Sequence, residues 1–253
     1  MSTPSSAALV RNALIVHAHP EPDSYSSAQA AAVAEELRSE GVDVRSIDLY
    51  AEGWDPVLAR EQFPDAPVYF KPQAEQMRAV AAGTLTDPVK THLEQLQQAD
   101  LLVLSFPLWW FSMPAVMKGW IDRVFVMGAT FGGEHGIFTD GGMSDKKAML
   151  LLTTGGAQAN FAADALDGYG DMDTFLFHIH RGMLEFVGYD VLPPVITYGP
   201  VRLDDADRVA ALAHVRAQIA AALHAWPPPS RAGPRCSAEA GEKQGHRSAG
   251  RNT

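Results

Sequence analysis

The apolar run at positions 101–106 is the feature that most constrains how this chain folds. An uninterrupted apolar strand is typical of a parallel sheet that is covered on both faces. Pro107 ends the run, three aromatic residues follow at positions 109–111, and a helix is predicted over 115–125. Aromatic side chains after such a strand lie at the edge where open α/β sheets bind ligands. The segment therefore predicts a central strand that carries an aromatic loop to a binding site, with a planar cofactor as the leading candidate to cover it.

Strands and helices alternate along the rest of the chain, which predicts a parallel sheet with helices on both faces. Further strands are predicted over 13–17, 42–49, 146–153 and 191–198, and further helices over 26–38, 87–98, 173–187 and 204–225. The segment 50–83, which holds four prolines, is predicted to be irregular. The expected fold class is therefore α/β, a doubly wound five-stranded parallel sheet in the flavodoxin-like order 2-1-3-4-5. Its ligand is expected at the switch point between strands one and three.

Composition and charge narrow the classes of partner. The 253 residues carry a net charge of −10, and an acidic body argues against nucleic acid as the main partner. No apolar run approaches the roughly 18 residues of a membrane helix, and no signal-peptide pattern precedes the first strand. No membrane partner and a cytoplasmic location are therefore expected. Cys236, the single cysteine, permits neither an internal disulfide nor a cysteine zinc site.

The domain organisation follows from a shift in composition after Trp226. One domain is predicted over 1–226. The tail over 227–253 is rich in Pro, Ser, Gly and Arg, and it is predicted to be disordered.

Three loops at predicted strand ends carry the candidate chemistry. The first, over 19–27, places serine hydroxyls beside a helix N-terminus, which favours an anion or simply caps the helix. The second is the aromatic loop, and the third is Thr-Thr-Gly-Gly at 153–156, whose glycines let backbone amides approach a ligand. A flavin matches all three, because it combines a phosphate, a flat ring and a polar ring edge. The histidine pair at 17/19 has no carboxylate cluster beside it, and the pair at 178/180 lies on different faces of a predicted helix, so no metal site is predicted.

Several motifs in order resemble the NAD(P)H:quinone oxidoreductases, which are FAD enzymes of flavodoxin-like fold. The motifs are Ala-Leu-Ile-Val-His-Ala-His at 13–19, Phe-Pro-Leu-x-Trp-Phe at 106–111, Pro-Ala at 114–115, Lys-Gly-Trp at 118–120, Arg-Val-Phe at 123–125, Thr-Thr-Gly-Gly at 153–156 and Gly-Asp-Met at 170–172. The resemblance runs from about position 13 to the final helix.

The resemblance implies a set of binding residues. The positions that match FAD contacts are His19, Ser24, Tyr25, Ser26, Pro107, Leu108, Trp109, Trp110, Phe111, Thr153, Thr154, Gly155, Gly156, Tyr169 and Arg208. The positions that match the substrate pocket are Trp110, Phe111, Phe131, Phe161 and Phe186. Arg208 is equally consistent with an exposed helix charge, and Phe186 with a plain core residue.

Two departures from the family concern catalysis. The family has a Tyr after the glycine pair and a His before Gly-Asp-Met, where this chain has Phe161 and Tyr169. A phenylalanine offers no donor, whereas the phenol of Tyr169 remains a hydrogen-bond donor. Tyr169, Gly155 and Gly156 are therefore the predicted catalytic group, which stabilises negative charge on the reduced ring.

The implied activity is ping-pong transfer of a hydride from NAD(P)H to the flavin, and then of two electrons to a quinone or similar flat acceptor. The resemblance also implies a homodimer. The aromatic residues of the segment 50–83 either clasp a partner or fold over their own sheet. Two alternatives stay open: a regulatory flavoprotein subunit of a transporter with weak turnover, and an electron carrier that uses FMN.

Overall fold

The computed structural model describes residues 10–162 and 167–225. Within these residues the strands are β1 (Asn12–His17), β2 (Asp43–Asp48), β3 (Leu101–Pro107), β4 (Lys147–Thr154), β5 (Asp190–Val191) and β6 (Val195–Tyr198). The helices are α1 (Tyr25–Ser39), α2 (Pro72–Ala82), α3 (Val89–Gln98), α4 (Ala115–Val124), α5 (Met172–Ile179) and α6 (Asp205–His224). The predicted tail over 227–253 lies outside the described residues.

The sheet is parallel and has the predicted order. Strands β2, β1, β3 and β4 pair in that sequence, and both β5 and β6 pair with β4 at the edge. The predicted fifth strand over 191–198 is thus present as two short strands. Pro193 and Pro194 separate them, because a proline has no N–H to donate to the ladder. The flavodoxin-like doubly wound fold is confirmed.

Two hydrophobic clusters lie on opposite faces of the sheet, which explains why β3 is apolar at every position except Ser105. Leu102, Leu104 and Phe106 face a larger cluster with helices α3, α4 and α5, whereas Leu101 and Val103 face a smaller one with α1 and α6. All seven residues of β3 are buried. Burial on both faces fixes the strand at the centre of the sheet, so its carboxyl end must open onto the switch point.

The segment 50–83 is more regular than predicted. It contains a 3₁₀ turn, Arg60–Gln62, and helix α2, which begins at Pro72. The prediction of an irregular segment was wrong for α2, since proline is well tolerated at a first helical position. Gly119 on α4 lets the start of this segment pack closely, because a Cβ there would lie 2.2 Å from the carbonyl oxygen of Pro56.

The predicted helix over 173–187 is shorter than expected. Helix α5 ends at Ile179, and a π-helical turn, His180–Leu184, continues from it. In the described part of the chain, no helix is both long and apolar enough to cross a membrane.

Candidate active site

The loop between β1 and α1 is fixed by serine hydroxyls. Ser24 is the N-cap of α1, and its Oγ accepts a hydrogen bond from the backbone N–H of Ser27 at 3.1 Å. The hydroxyls of Ser26 and Thr153 lie 2.6 Å apart, which ties the start of α1 to the end of β4. The first helical amides therefore face the carboxyl edge of the sheet, where a helix N-terminus favours an anion.

A cavity of about 600 Å³ opens beside this loop and is called here the serine–arginine cavity. Its walls come from the β1–α1 loop, the end of β4, the turn after β6 and helix α6. The structure brings six predicted binding residues together in its lining, namely His19, Ser24, Tyr25, Ser26, Thr153 and Arg208. Asp23, Ala28, Pro200, Val201 and Leu212 complete it. Residues almost 190 positions apart thus share one wall because parallel strands present their carboxyl ends together.

Arg208 is held in place on the first turns of α6. Its Nε donates to the carbonyl oxygen of Pro200 at 3.2 Å, and its Nη1 lies 3.3 Å from Asp205 Oδ1. Asp204 caps the helix by accepting from the N–H of Asp207 at 2.8 Å. The guanidinium is therefore oriented by the backbone of the same turn that closes the cavity, and its remaining donors suit a phosphate or an adenine edge.

The loop after β3 contains a tight turn over residues 109–112, called here the aromatic turn. The N–H of Ser112 donates to the carbonyl oxygen of Trp109 at 3.0 Å, and the two central residues, Trp110 and Phe111, have φ of 52° and 57°. This is the backbone of a type I′ turn, which normally uses Asn or Gly. Each non-glycine residue in that region costs about 1–2 kcal/mol, and such strain collects at functional sites.

The turn points its two central side chains in different directions. Trp110 is 95% exposed, whereas Phe111 stacks on Phe175 with ring centroids 4.5 Å apart. Trp109 lies against His19, with a centroid distance of 6.1 Å, and so connects the turn to the serine–arginine cavity. An indole this exposed is a costly surface feature unless a ligand or another chain covers it.

The glycine loop lies beside the aromatic turn. The N–H of Leu108 donates to the carbonyl oxygen of Thr153 at 2.8 Å, which joins the two loops. A Cβ on Gly155 would meet nothing within 4 Å, whereas one on Gly156 would lie 2.6 Å from the ring of Tyr169. Among the described residues, the N–H groups of both glycines donate to no protein acceptor. The loop thus holds two N–H groups without a protein acceptor among the described residues; Gly155 is exposed beside open space, whereas Gly156 is buried against the ring of Tyr169.

Phe161 and Tyr169 belong to this same cluster. Their ring centroids are 5.3 Å apart, and Tyr169 also lies 5.5 Å from Phe111. The N–H of Tyr169 donates to the carbonyl oxygen of Asn160 at 2.6 Å, and the side chain is 45% exposed. The phenol is therefore held by its ring against Gly156 and remains accessible, as a donor to a ligand at the glycine loop needs to be.

Phe131 and Phe186 lie in a different place from the other predicted pocket residues. Their rings meet edge to face at 5.4 Å, and they line a separate cavity of about 830 Å³, called here the phenylalanine cavity. Tyr69, Phe70 and Met127 also line it. Within one chain, therefore, the predicted substrate residues form two groups: Trp110, Phe111 and Phe161 near the glycine loop, and Phe131 with Phe186 apart from it.

Sequence reasoning missed three supporting residues. His17 hydrogen-bonds Ser105 and Ser27 beneath the first loop, and Gln29 donates to the carbonyl oxygen of Leu152 at 3.3 Å. His178 Nε2 lies 3.0 Å from the Ser112 hydroxyl and so holds the end of the aromatic turn. The signal for His17 was a polar residue that ends an otherwise apolar strand. No sequence signal linked positions 112 and 178, because only the tertiary fold brings them together.

Burial controls the ionisation of the groups near the cavity. It lowers the pKa of His17, an effect that nearby Asp48 opposes. It raises the pKa of Tyr25 and of Tyr198, and Asp173 raises the latter further. Both phenols are therefore neutral near pH 7 and can donate hydrogen bonds. In the ranges 10–162 and 167–225, no three His, Cys, Asp or Glu side chains are grouped to hold a metal ion.

Comparisons with known proteins agree with this geometry. A family model described as a flavodoxin-like fold matches residues 11–222. The chain is 37% identical to NAD(P)H dehydrogenase [quinone] 1 of Cavia porcellus over 195 residues, 76% of this chain and 70% of the relative. It is 35% identical to ribosyldihydronicotinamide dehydrogenase [quinone] of Rattus norvegicus over 206 residues, 80% and 88% of the two chains.

A solved structure from Klebsiella pneumoniae, proposed to be a quinone reductase, superposes with a TM-score of 0.80 at 33% identity and covers 86% of each chain. The NAD(P)H:quinone oxidoreductase of Methanothermobacter marburgensis superposes with a TM-score of 0.63 at 25% identity, covering 83% of this chain and 96% of that one. The sheet order, the loops at its carboxyl edge and these relatives agree. The chain is an enzyme that belongs to the NAD(P)H:quinone oxidoreductase family of flavodoxin-like fold.

Proposed function

We propose that this protein is an FAD-dependent NAD(P)H:quinone oxidoreductase with a ping-pong mechanism. The observation that carries the proposal is the continuity of three loops at one sheet edge. The serine–arginine cavity, the aromatic turn and the glycine loop are joined by the Ser26–Thr153 and Leu108–Thr153 hydrogen bonds. An anion site, a flat apolar surface and a row of free amides follow one another, as the parts of a flavin nucleotide do.

The extent of the serine–arginine cavity favours FAD over FMN. A phosphate at Ser24 and Ser26 would occupy one side of it, at the N-terminus of α1. The wall continues past this point to Val201, Arg208 and Leu212, and the whole space is about 600 Å³. An FMN would leave that region empty, whereas an adenosine would fill it and meet both an apolar wall and a guanidinium.

The ring system fits between the aromatic turn and the glycine loop. A side chain at position 155 would project into the open space there, and Gly155 leaves it free. When bound, the flavin supplies the chemistry, which is acceptance of a hydride at N5 and delivery of two electrons to an acceptor. The indole of Trp110 and the ring edge of Phe111 orient flat reactants, which converts their encounter into a positioned reaction.

The protein stabilises negative charge at the polar edge of the ring. The N–H groups of Gly155 and Gly156 are preorganised donors in a loop that the end of β4 holds rigid. The Tyr169 hydroxyl adds a third donor from across the loop, since its ring packs on Gly156. Removal of one such donor from a charge-stabilising site typically slows catalysis by roughly 10²–10³-fold when the site excludes water. Tyr169 is partly exposed, so its share is expected to be smaller.

A second copy of the chain completes the site in this proposal. Four exposed apolar side chains belong to the segments of the ring site and of the phenylalanine cavity: Tyr69 lines the phenylalanine cavity and follows Val68, Trp110 lies in the aromatic turn, and Phe177 precedes His178, which holds that turn. Val68, Tyr69, Trp110 and Phe177 are 100%, 75%, 95% and 65% exposed. A homodimer would cover them and would bring Phe131 and Phe186 of one protomer to the ring site of the other.

The cofactor and the reaction can be tested on the purified protein. We expect a yellow protein, release of FAD rather than FMN on denaturation, and oxidation of NADH or NADPH coupled to reduction of 1,4-naphthoquinone. Initial rates at several fixed quinone concentrations should give parallel double-reciprocal lines. Release of FMN would refute the FAD assignment, and intersecting lines would refute the ping-pong mechanism. Flavin binding with negligible turnover would favour a regulatory subunit.

The dimer is tested separately by light scattering of the eluted protein. We expect about twice the 27.3 kDa chain mass for the native protein and a monomer for Tyr69→Glu. Tyr50→Glu is the matched control, since Tyr50 is a partly exposed tyrosine outside the patch. A native monomer with full quinone turnover would rule out the shared site.

A further inference from the structure

We propose that His17 is a positioning residue for the phosphate-bearing part of the ligand, because it sets the direction of the Ser24 hydroxyl through Ser27. This inference rests on the proposed function, which places a phosphate at the serine–arginine cavity. His17 does not line that cavity. It acts from beneath the loop, at the last position of β1.

A hydrogen-bonded chain of three side chains, His17, Ser27 and Ser24, leads from the core to the cavity wall. His17 is 6% exposed, and its Nδ1 lies 3.0 Å from the hydroxyl of Ser105 at the end of β3. Its Nε2 lies 3.1 Å from Ser27 Oγ, which in turn lies 2.9 Å from Ser24 Oγ. Ser24 lines the cavity. This hydrogen-bonded chain therefore joins the buried imidazole ring of His17 to Ser24, the residue predicted to bind the anion.

The number of protons in this chain limits how Ser24 can point. Ser27 has one hydroxyl proton and three acceptors within reach: His17 Nε2, Ser24 Oγ, and the carbonyl oxygen of Glu21 at 3.1 Å. If Ser27 donates its proton to His17 or to Glu21, it has none left for Ser24. The bond between the two hydroxyls then forms only if Ser24 donates its own proton to Ser27 Oγ. The Ser24 hydroxyl then points away from the cavity, and an anion meets an oxygen lone pair.

One arrangement keeps the bonds between His17, Ser27 and Ser24 and turns the Ser24 proton to an anion, while Ser27 gives up its bond to the carbonyl oxygen of Glu21. In it, His17 Nε2–H donates to Ser27, Ser27 donates to Ser24, and Ser24 donates to the phosphate. All three donors then point in one direction, and such aligned chains strengthen one another. This arrangement requires a proton on Nε2, so both the tautomer and the charge of His17 control the anion site.

The surroundings of His17 give this control a pH dependence. Asp48 of β2 and His19 of the following loop are the charged or titratable groups that act on it, while Ser105 of β3 and Ser27 of α1 contact it as neutral groups. Burial lowers the pKa of His17, so the ring is mostly neutral at pH 7 without ligand. A phosphate favours the imidazolium and raises this pKa. Binding therefore takes up a proton, and affinity rises as the pH falls.

The test measures ligand affinity from pH 5.5 to 8.5 on flavin-free protein, by quenching of flavin fluorescence with FAD and with riboflavin, which has no phosphate. For His17→Leu we expect FAD affinity to fall about tenfold at pH 6 and about threefold at pH 8, with riboflavin affinity within twofold of native. For His17→Gln, which keeps a neutral N–H donor, the loss at pH 8 should be restored and the loss at pH 6 should remain.

Ser27→Ala and His92→Gln provide the controls. Ser27→Ala leaves His17 in place but breaks the chain, so it should flatten the same part of the pH profile. His92 is another buried histidine whose burial lowers its pKa, but it contacts Glu52 and Trp120 instead of the loop. Its substitution should leave the profile native. An equal loss of FAD and riboflavin in His17→Leu would reveal a merely structural role and overturn the proposal, as would a native profile in either His17 variant.

Failure of the proposed function would look different. If the native protein binds neither flavin, the same titration with inorganic pyrophosphate, followed by calorimetry, decides the matter. Pyrophosphate affinity that depends on His17 in the same pH range would support the hydrogen-bonded relay from His17 through Ser27 to Ser24 even without a flavin. Pyrophosphate affinity that His17→Leu leaves unchanged, or no measurable binding to native protein, would overturn the relay as well.

Discussion

The serine–arginine cavity and the phenylalanine cavity are built in opposite ways. The first is walled by the β1–α1 loop, the end of β4, the turn after β6 and helix α6, and a hydrogen bond between Ser26 of α1 and Thr153 of β4 ties two of these parts together. The second is walled by side chains of α2, α4 and the segment around Phe186, none of which follows a strand of the sheet directly. Exposed apolar residues such as Tyr69 surround the second cavity, whereas serines, Arg208 and helix amides surround the first.

In the proposed function, this difference assigns the serine–arginine cavity to the cofactor and the phenylalanine cavity to the acceptor. Strand pairing fixes the serine–arginine cavity within one chain, so it suits a ligand that stays bound. The phenylalanine cavity is wide and lined largely by apolar side chains, so in the proposed function it takes the acceptor that enters and leaves, and a second copy of the chain would close it. Substitutions at the first cavity should therefore change cofactor affinity, and substitutions at the second should change acceptor kinetics.

Ser24→Asp is expected to have the largest effect, and it tests whether the serine–arginine cavity binds the phosphate of the cofactor. Aspartate is as good an N-cap as serine, so the stability of α1 should be kept. Its charge would face the phosphate, and like charges placed together cost several kcal/mol. We expect FAD affinity to fall by about 100-fold or more in fluorescence titrations, with riboflavin affinity nearly unchanged. Ser24→Asn is the neutral control and should lose less than tenfold. Native FAD affinity in Ser24→Asp would place the phosphate elsewhere.

Tyr169→Phe tests the glycine loop, where the cofactor and the acceptor meet in the proposed function. The ring contacts with Gly156 and Phe161 are kept, and only the hydroxyl donor is removed. We expect reduction by NADPH to slow about tenfold in stopped-flow measurements, which corresponds to roughly 1.4 kcal/mol of lost stabilisation, with FAD affinity near native. Tyr189→Phe, a buried tyrosine outside both cavities, serves as the control for loss of a phenol. An unchanged rate of reduction in Tyr169→Phe would remove Tyr169 from the catalytic group.

Phe186→Ala addresses the phenylalanine cavity alone. Loss of one aromatic face from an acceptor site is worth about 0.5–1.5 kcal/mol beyond area burial. We expect the KM for 1,4-naphthoquinone to rise about fivefold, while FAD affinity and the rate of reduction by NADPH stay native. Phe138→Ala removes a neighbour of Phe186 that does not line the cavity, and it should have little effect on KM. A fall in FAD affinity in Phe186→Ala would mean that the two cavities are not independent.

Trp110→Gly gives the smallest effect and separates stability from function at the aromatic turn. Glycine accepts the positive φ of position 110 without strain, and the exposed indole loses little packing in a single chain. We expect the flavin-free variant, made in the monomeric Tyr69→Glu background, to gain up to about 1 kcal/mol, or about 2–4 °C in Tm for a chain of this size. Steady-state turnover of Trp110→Gly in the native background should nevertheless fall. A lower Tm in the monomeric background would show that the indole packs against its own chain.

The sheet could be predicted from the sequence because continuous apolar runs between turn residues indicate strands that are buried on both faces. Strand β3, buried on both faces, could only be central, and the alternation of strands with helices then fixed a parallel sheet. The motif positions around Ser24, Trp110 and Gly155 could be assigned to loops at one edge for the same reason. Helix α2 escaped prediction because the prolines of segment 50–83 indicated turns, although Pro72 opens a helix.

Local pattern therefore determined the elements, their order and the edge at which a ligand is expected, because periodicity and strand ends are properties of neighbouring residues. Only the tertiary structure decided which side chains touch. It put Arg208 and Ser24 in the lining of one cavity, buried His17 between β3 and α1, held the aromatic turn through His178, and set Phe131 and Phe186 apart from the other pocket residues. Such contacts join positions far apart in the chain, and their distances depend on packing that no local pattern encodes.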